Sequence, residues 1–263
     1  MLVLRGIRKL FPVGEQRVVA LDGIDLHVPK GQFITIIGSN GAGKSTLLNA
    51  VAGVFFVDEG SILLDGQDVT FMPEHKRAAK VARVFQNPLD GTAASMTVEE
   101  NIALAAARGR RRGLRRGVRA ALRERTKEAL ARLELGLEHR LLQPAGLLSG
   151  GQRQALSLLM ATMTEPSILL LDEHTAALDP KSAAHISALT ERLARENGLT
   201  TLMVTHNMEQ ALRMGDRTIM MHGGKVVLDI EGPQRRHMTV DDLLERFAQV
   251  RGARLVDDRV LLG

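Results

Sequence analysis

The stretch QFITIIGSNGAGKSTLLNAV, residues 32–51, limits what this chain can fold into more than any other. QFITIIG (32–38) is a continuous apolar run with β-branched residues, which predicts a strand buried on both faces. KSTLLNAVAGV has the apolar spacing of a helix. Between them Gly38, Gly43, Lys44 and Ser45 stand in the pattern G-x-x-x-x-G-K-[ST]. Glycines let a backbone wrap closely around phosphates, so the N–H groups of residues 41–46 are expected to point inward. The expected cradle is Gly38, Ser39, Asn40, Gly41, Ala42, Gly43, Lys44, Ser45 and Thr46. Lys44 would reach the β- and γ-phosphates of ATP, and Ser45 would offer its hydroxyl to Mg²⁺. A chance glycine-rich turn would lack the strand before it and the helix after it.

A metal held there needs a carboxylate at the end of a neighbouring buried strand. SILLLDE (167–173) supplies apolar residues and then Asp172 and Glu173. Asp172 is expected to hold Mg²⁺ through its water shell, and Glu173 to orient and polarise the attacking water. Surface capping is the bland alternative, but buried strands seldom end in two carboxylates without a cation nearby.

The remaining pattern places this unit in an α/β core. LTTLMVTH (199–206) reads as a third buried strand, with helices over about 150–165, 180–196 and 207–213, so a mainly parallel sheet covered on both faces is expected. The first thirty residues and 61–70 read as short strands of an antiparallel side sheet. From about 90 to 148 the pattern is almost wholly helical, starting at MTVEENIALAAA and including a second helix over about 116–135, which implies an inserted helical lobe. The division expected is a domain over 1–235, with its core in 1–88 and 163–235 and its lobe in about 89–162, followed by a C-terminal helix and tail over 236–263. No apolar run approaches the roughly 18–20 residues that cross a bilayer. The early charges exclude a secretory signal, and the absence of cysteine excludes thiol chemistry and fits a reducing cytosol. The chain is therefore expected to be soluble and intracellular.

The net charge of +5 is concentrated in RGRRRGLRRGVR (108–119). A solvated helix face or loop, a nucleic-acid contact and an anionic-lipid contact all fit that run. The chain has no Trp or Tyr, so base-stacking platforms are scarce and the nucleic-acid reading is weakened.

GLLSGGQRQALSLLMAT (146–162) adds a second glycine-pinched helix start, this one without a lysine. LLSGGQ followed by ILLLDE at this distance resembles the ATP-binding subunits of ABC transporters, over at least residues 1–230. The resemblance implies a P-loop NTPase core and a head-to-tail dimer of two copies. Ser149, Gly150, Gly151 and Gln152 of one copy would then close over the ATP held by the phosphate loop of the other. A lysine-free helix start cannot cradle a triphosphate alone, but its positive end can grip the γ-phosphate of one bound elsewhere. A capping serine beside a close helix crossing is the structural alternative.

Further positions follow from the resemblance. Gln86, in ARVFQNP, matches the glutamine that touches Mg²⁺ or the lytic water and senses the transmembrane partner. His206, in LMVTHN, resembles the histidine that hydrogen-bonds the γ-phosphate. Asp179, in AALD, is implied at the dimer seam. Phe11, in RKLFPVG, stands where the family stacks an aromatic on adenine, whereas Phe33 could be simple core. His174 departs from the family, where most members carry proline, and leaves both carboxylates in place. IGSNGAGKSTLLNAVAGVFFVDEGSI, LLMATMTEP and TTLMVTHNMEQAL resemble an importer branch in which a stand-alone ATPase serves a separate permease and a substrate-binding protein, some members being linked to aromatic amino acid uptake. The implied place is the cytoplasmic face of the cell membrane, as a peripheral subunit. A non-transport ATPase of the same family acting on nucleic acid or ribosomes is the alternative, although such relatives usually carry two domains or long coiled coils. A metabolic kinase would leave LSGGQ and His206 unexplained.

Overall fold

The computed structural model describes residues 1–109, 118 and 120–249. It opens with a hairpin of two long strands, β1 (Leu2–Val13) and β2 (Gln16–Val28), then β3 (Phe33–Gly38) and helix α1 (Lys44–Ala52). Strands β4 (Glu59–Leu64) and β5 (Gln67–Asp68), the short helix α2 (Glu74–Arg77) and β6 (Val81–Val84) follow. Helices α3 (Val98–Ala106), α4 (Ala120–Ala131) and α5 (Gly150–Thr162) come next. The chain then alternates β7 (Ile168–Asp172), α6 (Pro180–Glu196), β8 (Thr200–Val204) and α7 (Met208–Arg213). It continues through the hairpin β9 (Arg217–His222) and β10 (Lys225–Glu231), α8 (Gly232–Arg236) and a helix α9 over 240–249.

The strands form two sheets. One is antiparallel, in the order β2-β1-β4-β5; the other runs β10-β9-β3-β8-β7-β6 and is parallel except for β10. Alternation along the buried strands explains how the parallel sheet is covered on both sides. Ile34, Ile36, Leu170 and Leu202 face a core shared with α1 and the side sheet. Phe33, Leu169, Leu171 and Met203 face the opposite core, with residues of α3 to α6. Phe33 is 1 % exposed and is simple core, worth roughly 1.5–3 kcal/mol of burial. The α/β core with a parallel sheet and an antiparallel side sheet is the architecture expected from the sequence.

The helical region differs from expectation in extent. Helix α3 starts where expected, with a capping box in which Thr97 Oγ1 accepts from Glu100 N and Glu100 accepts from Thr97 N. The second helix, expected over about 116–135, is α4 (Ala120–Ala131) and ends before 132, while 116, 117 and 119 lie outside the described residues. Residues 85–97 and 132–149 are turns with two short 3₁₀ segments rather than helix. The physical reason lies in their backbone partners. Carbonyls of Leu141 and Gln143 accept from Glu99 N and Val98 N, so this loop satisfies the bare start of α3 instead of building its own helix. Arginines of 110–117 and 119, and the tail from residue 250, lie outside the described residues.

Candidate nucleotide site

The loop between β3 and α1 leaves the start of its helix uncapped by any side chain. Gly43 is the N-cap of α1, with φ 97°. A Cβ at Gly43 would lie 2.5 Å from Ala20 O, so only glycine fits the close approach of strand and loop. Lys44 is buried and its Nζ donates to Gly38 O at 2.9 Å and Ser39 O at 3.0 Å, folding the side chain across the loop. Burial pulls the Lys44 ammonium below its usual pKa, while the carboxylates of Glu173 and Asp172 push it back up. A cavity of about 190 Å³ is lined by residues 40–46 and Glu173.

The end of β7 brings the carboxylates to this mouth. Ser45 Oγ donates to Asp172 Oδ1 at 3.0 Å. Two hard oxygen donors beside an anion cradle suit Mg²⁺, which keeps several waters and draws other ligands from phosphate. No cluster of three or more His, Cys, Asp or Glu residues that could hold a metal exists among the described residues. Glu173 follows with φ 44°, an unusual conformation for a non-glycine residue that costs about 1–3 kcal/mol. Its N–H donates to Val204 O at 3.0 Å, pinning it to the end of β8. There His206 Nδ1 lies 3.5 Å from Glu173 Oε2. Both residues line a second cavity of about 330 Å³ that also includes Asn207, Gln210 and Arg213. Gln86 is exposed just past β6, and the pairing of Val84 with Leu171 makes the chain leave β6 and β7 side by side.

Other expected residues stand apart from this mouth. Phe11, in β1, meets Phe55 edge-on at 5.2 Å and does not line the phosphate-loop cavity. Ser149 caps α5, its Oγ accepting from Gln152 N at 3.3 Å while Gln152 Oε1 accepts from Ser149 N at 3.2 Å. Ser149, Gly150, Gly151 and Gln152 are likewise absent from that lining. Gly151 passes so close to α6 that a Cβ would lie 3.0 Å from Ser182 Oγ. Asp179 caps α6 by accepting from Ser182 N at 3.0 Å, and hydrogen bonds from the Ser182 side chain and then its backbone hold the Asp179 carboxyl below the usual range.

Sequence reasoning missed Arg83 and Gln154. Arg83 Nη2 donates to Asp172 Oδ2 at 3.0 Å and Nη1 to Asn49 Oδ1 at 2.6 Å, while its guanidinium lies 4.7 Å from the Phe85 ring centroid. Its only sequence signal is a charge inside VARVF, a run otherwise suited to a buried strand.

A glycine-pinched loop with a buried lysine, followed by strand-end carboxylates, defines a P-loop nucleotide-binding ATPase. The chain belongs to the ABC transporter family, whose pattern matches residues 21–176. It is 44% identical over 249 residues to the tyrosine transport ATP-binding protein of Clostridioides difficile (strain R20291), covering 94% of this chain and 98% of that one. It is 38% identical over 212 residues to a methionine import ATP-binding protein, MetN, of Rhizobium johnstonii (strain DSM 114642 / LMG 32736 / 3841), covering 79% of this chain. The chain spans only 56% of that longer relative. Among solved structures it resembles a dimeric post-hydrolysis ATP-binding cassette bound to ADP and Pi, with a TM-score of 0.76, 31% identity, and coverage of 88% of this chain and 98% of that one. The chain is thus the ATP-binding and ATP-hydrolysing type of ABC transporter subunit.

Proposed function

We propose that two copies of this chain pack head to tail and drive a separate permease that imports an amino acid. The 1–235 unit would work as the motor, with the α/β core holding nucleotide and the lobe of about 89–162 docking with Gln86 onto the permease. Each ATP would sit on residues 38–46 of one copy under Ser149, Gly150, Gly151 and Gln152 of the other. Phe11 would stack on adenine, and Asp179 would lie at the seam. Dimeric cassettes among the similar structures support the pairing. The lack of Ser149–Gln152 in the phosphate-loop lining of its own chain supports action in trans.

Glu173 carries the chemistry in this reading. Its carboxylate lines both the phosphate-loop cavity and the one beside it, where His206 stands 3.5 Å away. From there it can take a proton from a water approaching the γ-phosphorus while His206 hydrogen-bonds the γ-phosphate. Ser45, Asp172 and Gln86 would hold Mg²⁺, whose charge offsets that on the β- and γ-oxygens. The γ-phosphate is the differential contact that closes the dimer, and its loss reopens it.

The names of the relatives support transport over work on nucleic acid or ribosomes, and tyrosine transport in one of them points to an aromatic amino acid as cargo. No helix among the described residues is long and apolar enough to cross a membrane, which fits a peripheral subunit on the cytoplasmic face, served by a substrate-binding protein on the other side. Glu173→Gln tests the core of the proposal. Turnover should fall by about a thousandfold while ATP binding persists, and an ATP-bound dimer should accumulate on size-exclusion chromatography. A variant that stays monomeric in saturating ATP would remove the composite site.

A further inference from the structure

We propose that Gln154 is a positioning residue for hydrolysis, holding from helix α5 the two backbone segments that carry Gln86 and Glu173. Gln154 is 0 % exposed. Its Nε2 donates to Phe85 O at 3.0 Å and to His174 O at 2.7 Å. Phe85 directly precedes Gln86, and His174 directly follows Glu173. One amide therefore spends both of its donors on carbonyls next to the two residues that would handle the water. Its Oε1 has no hydrogen-bond partner. A buried acceptor left unpaired lowers stability, so packing alone would favour an apolar side chain at this position.

The far side of the same segment is fixed by α6. His174 is buried, with Nε2 2.9 Å from Thr190 Oγ1, and that hydroxyl donates to Ile186 O at 2.7 Å. The residue after Glu173 is thus tied through its carbonyl to α5 and through its ring to α6. This matters because Glu173 occupies the left-handed region, φ 44°, where relaxation of a neighbour would swing its carboxylate away.

The inference rests on the proposed role of Glu173 and extends it. Helix α5 is capped by Ser149, the residue proposed to stand against the second copy's nucleotide. Just over one turn later, about 7.5 Å along the axis, Gln154 grips the first copy's own catalytic segment. Seating α5 on one ATP therefore sets the place of Glu173 beside the other.

Gln154→Leu keeps the bulk and removes both donors. Its kcat should fall about 10- to 100-fold. The Kd for a fluorescent ATP analogue on the monomer should stay within about twofold, because the loss falls on the chemical step. With ATP and Mg²⁺ the variant should also accumulate as a dimer. Unchanged kcat overturns the proposal; so does a joint loss of Tm, ATP affinity and dimer, the signature of simple destabilisation. Thr190→Val removes only the hydroxyl under the His174 ring and should give the same pattern at smaller amplitude. If Gln154→Leu fails to fold, parental turnover in Thr190→Val overturns the strut. Glu173→Gln run in parallel separates the two ideas. Persistent hydrolysis there defeats the role of Glu173, whereas a dead Glu173→Gln beside a fully active Gln154→Leu defeats only the strut.

Discussion

The starts of α1 and α5 are both pinched by glycine, yet they are finished differently. Gly43 caps α1 in a left-handed conformation with no side-chain hydrogen bond, so the first N–H groups stay bare above the buried Lys44. Ser149 caps α5 inside a closed box with Gln152, which already satisfies donors at that end. A bare start with an ammonium can enclose phosphates by itself. A boxed start keeps one useful donor, because Ser149 Oγ accepts from Gln152 N and its own O–H remains to be given away. On the proposed reading, the difference separates a site that binds nucleotide from a surface that completes the site of a second copy.

Paired substitutions give the largest test of that separation. Lys44→Ala should weaken ATP binding to the monomer about 10- to 100-fold, the loss of a charge-assisted contact. Ser149→Arg should reduce turnover to background while monomer affinity changes by less than about twofold, as read by nucleotide fluorescence and phosphate release. Equal losses of affinity in the two variants would put both helix starts in one site and erase the contrast.

A smaller effect sharpens the cis side. Arg83 occupies Asp172 Oδ2 while Ser45 occupies Oδ1. Arg83→Met removes a competing positive charge, so Mg²⁺ should bind the ATP-loaded protein about two- to fivefold more tightly by calorimetry. Weaker Mg²⁺ binding would instead make Arg83 the support that aims the carboxylate.

A separate handle is the pH dependence of the buried His174, which directly follows Glu173. Burial lowers the pKa of His174 from 6.5 to about 4. Between those values the unfolded chain binds the extra proton, so stability is complete above pH 6.5 and declines as pH falls. The decline reaches up to about 3 kcal/mol near pH 4. Melting curves across that range should fall steeply for the parent and less steeply for His174→Pro. Parallel curves would assign the acid loss to other groups.

The parts of the molecule that were legible are those where local chemistry and final structure agree. The apolar run 33–38 and the glycine spacing leave β3 and its loop no other arrangement, and Asp179-Pro180 marks the start of α6 where it falls. Leu137, Leu141, Ala145 and Leu148 recur at helical spacing and are all buried, which imitates a helix in sequence, although Gly136 at φ 69° turns the backbone just before them and Pro144 interrupts it among them. The β9–β10 hairpin carried a signal in Gly223-Gly224 between apolar runs, one the expected parallel core did not use. Arg83 and Gln154 were hidden for a different reason. Each acts through a partner distant in sequence, and nothing in a strand or an amphipathic helix marks which polar side chain will turn inward.

The contact between Gly151 and Ser182 leaves less than a methyl group of space between α5 and α6. Gly151 and Ser182 both stand in the first turn of their helices, so the two starts abut, and a branched side chain at residue 151 would have to wedge α5 away from α6.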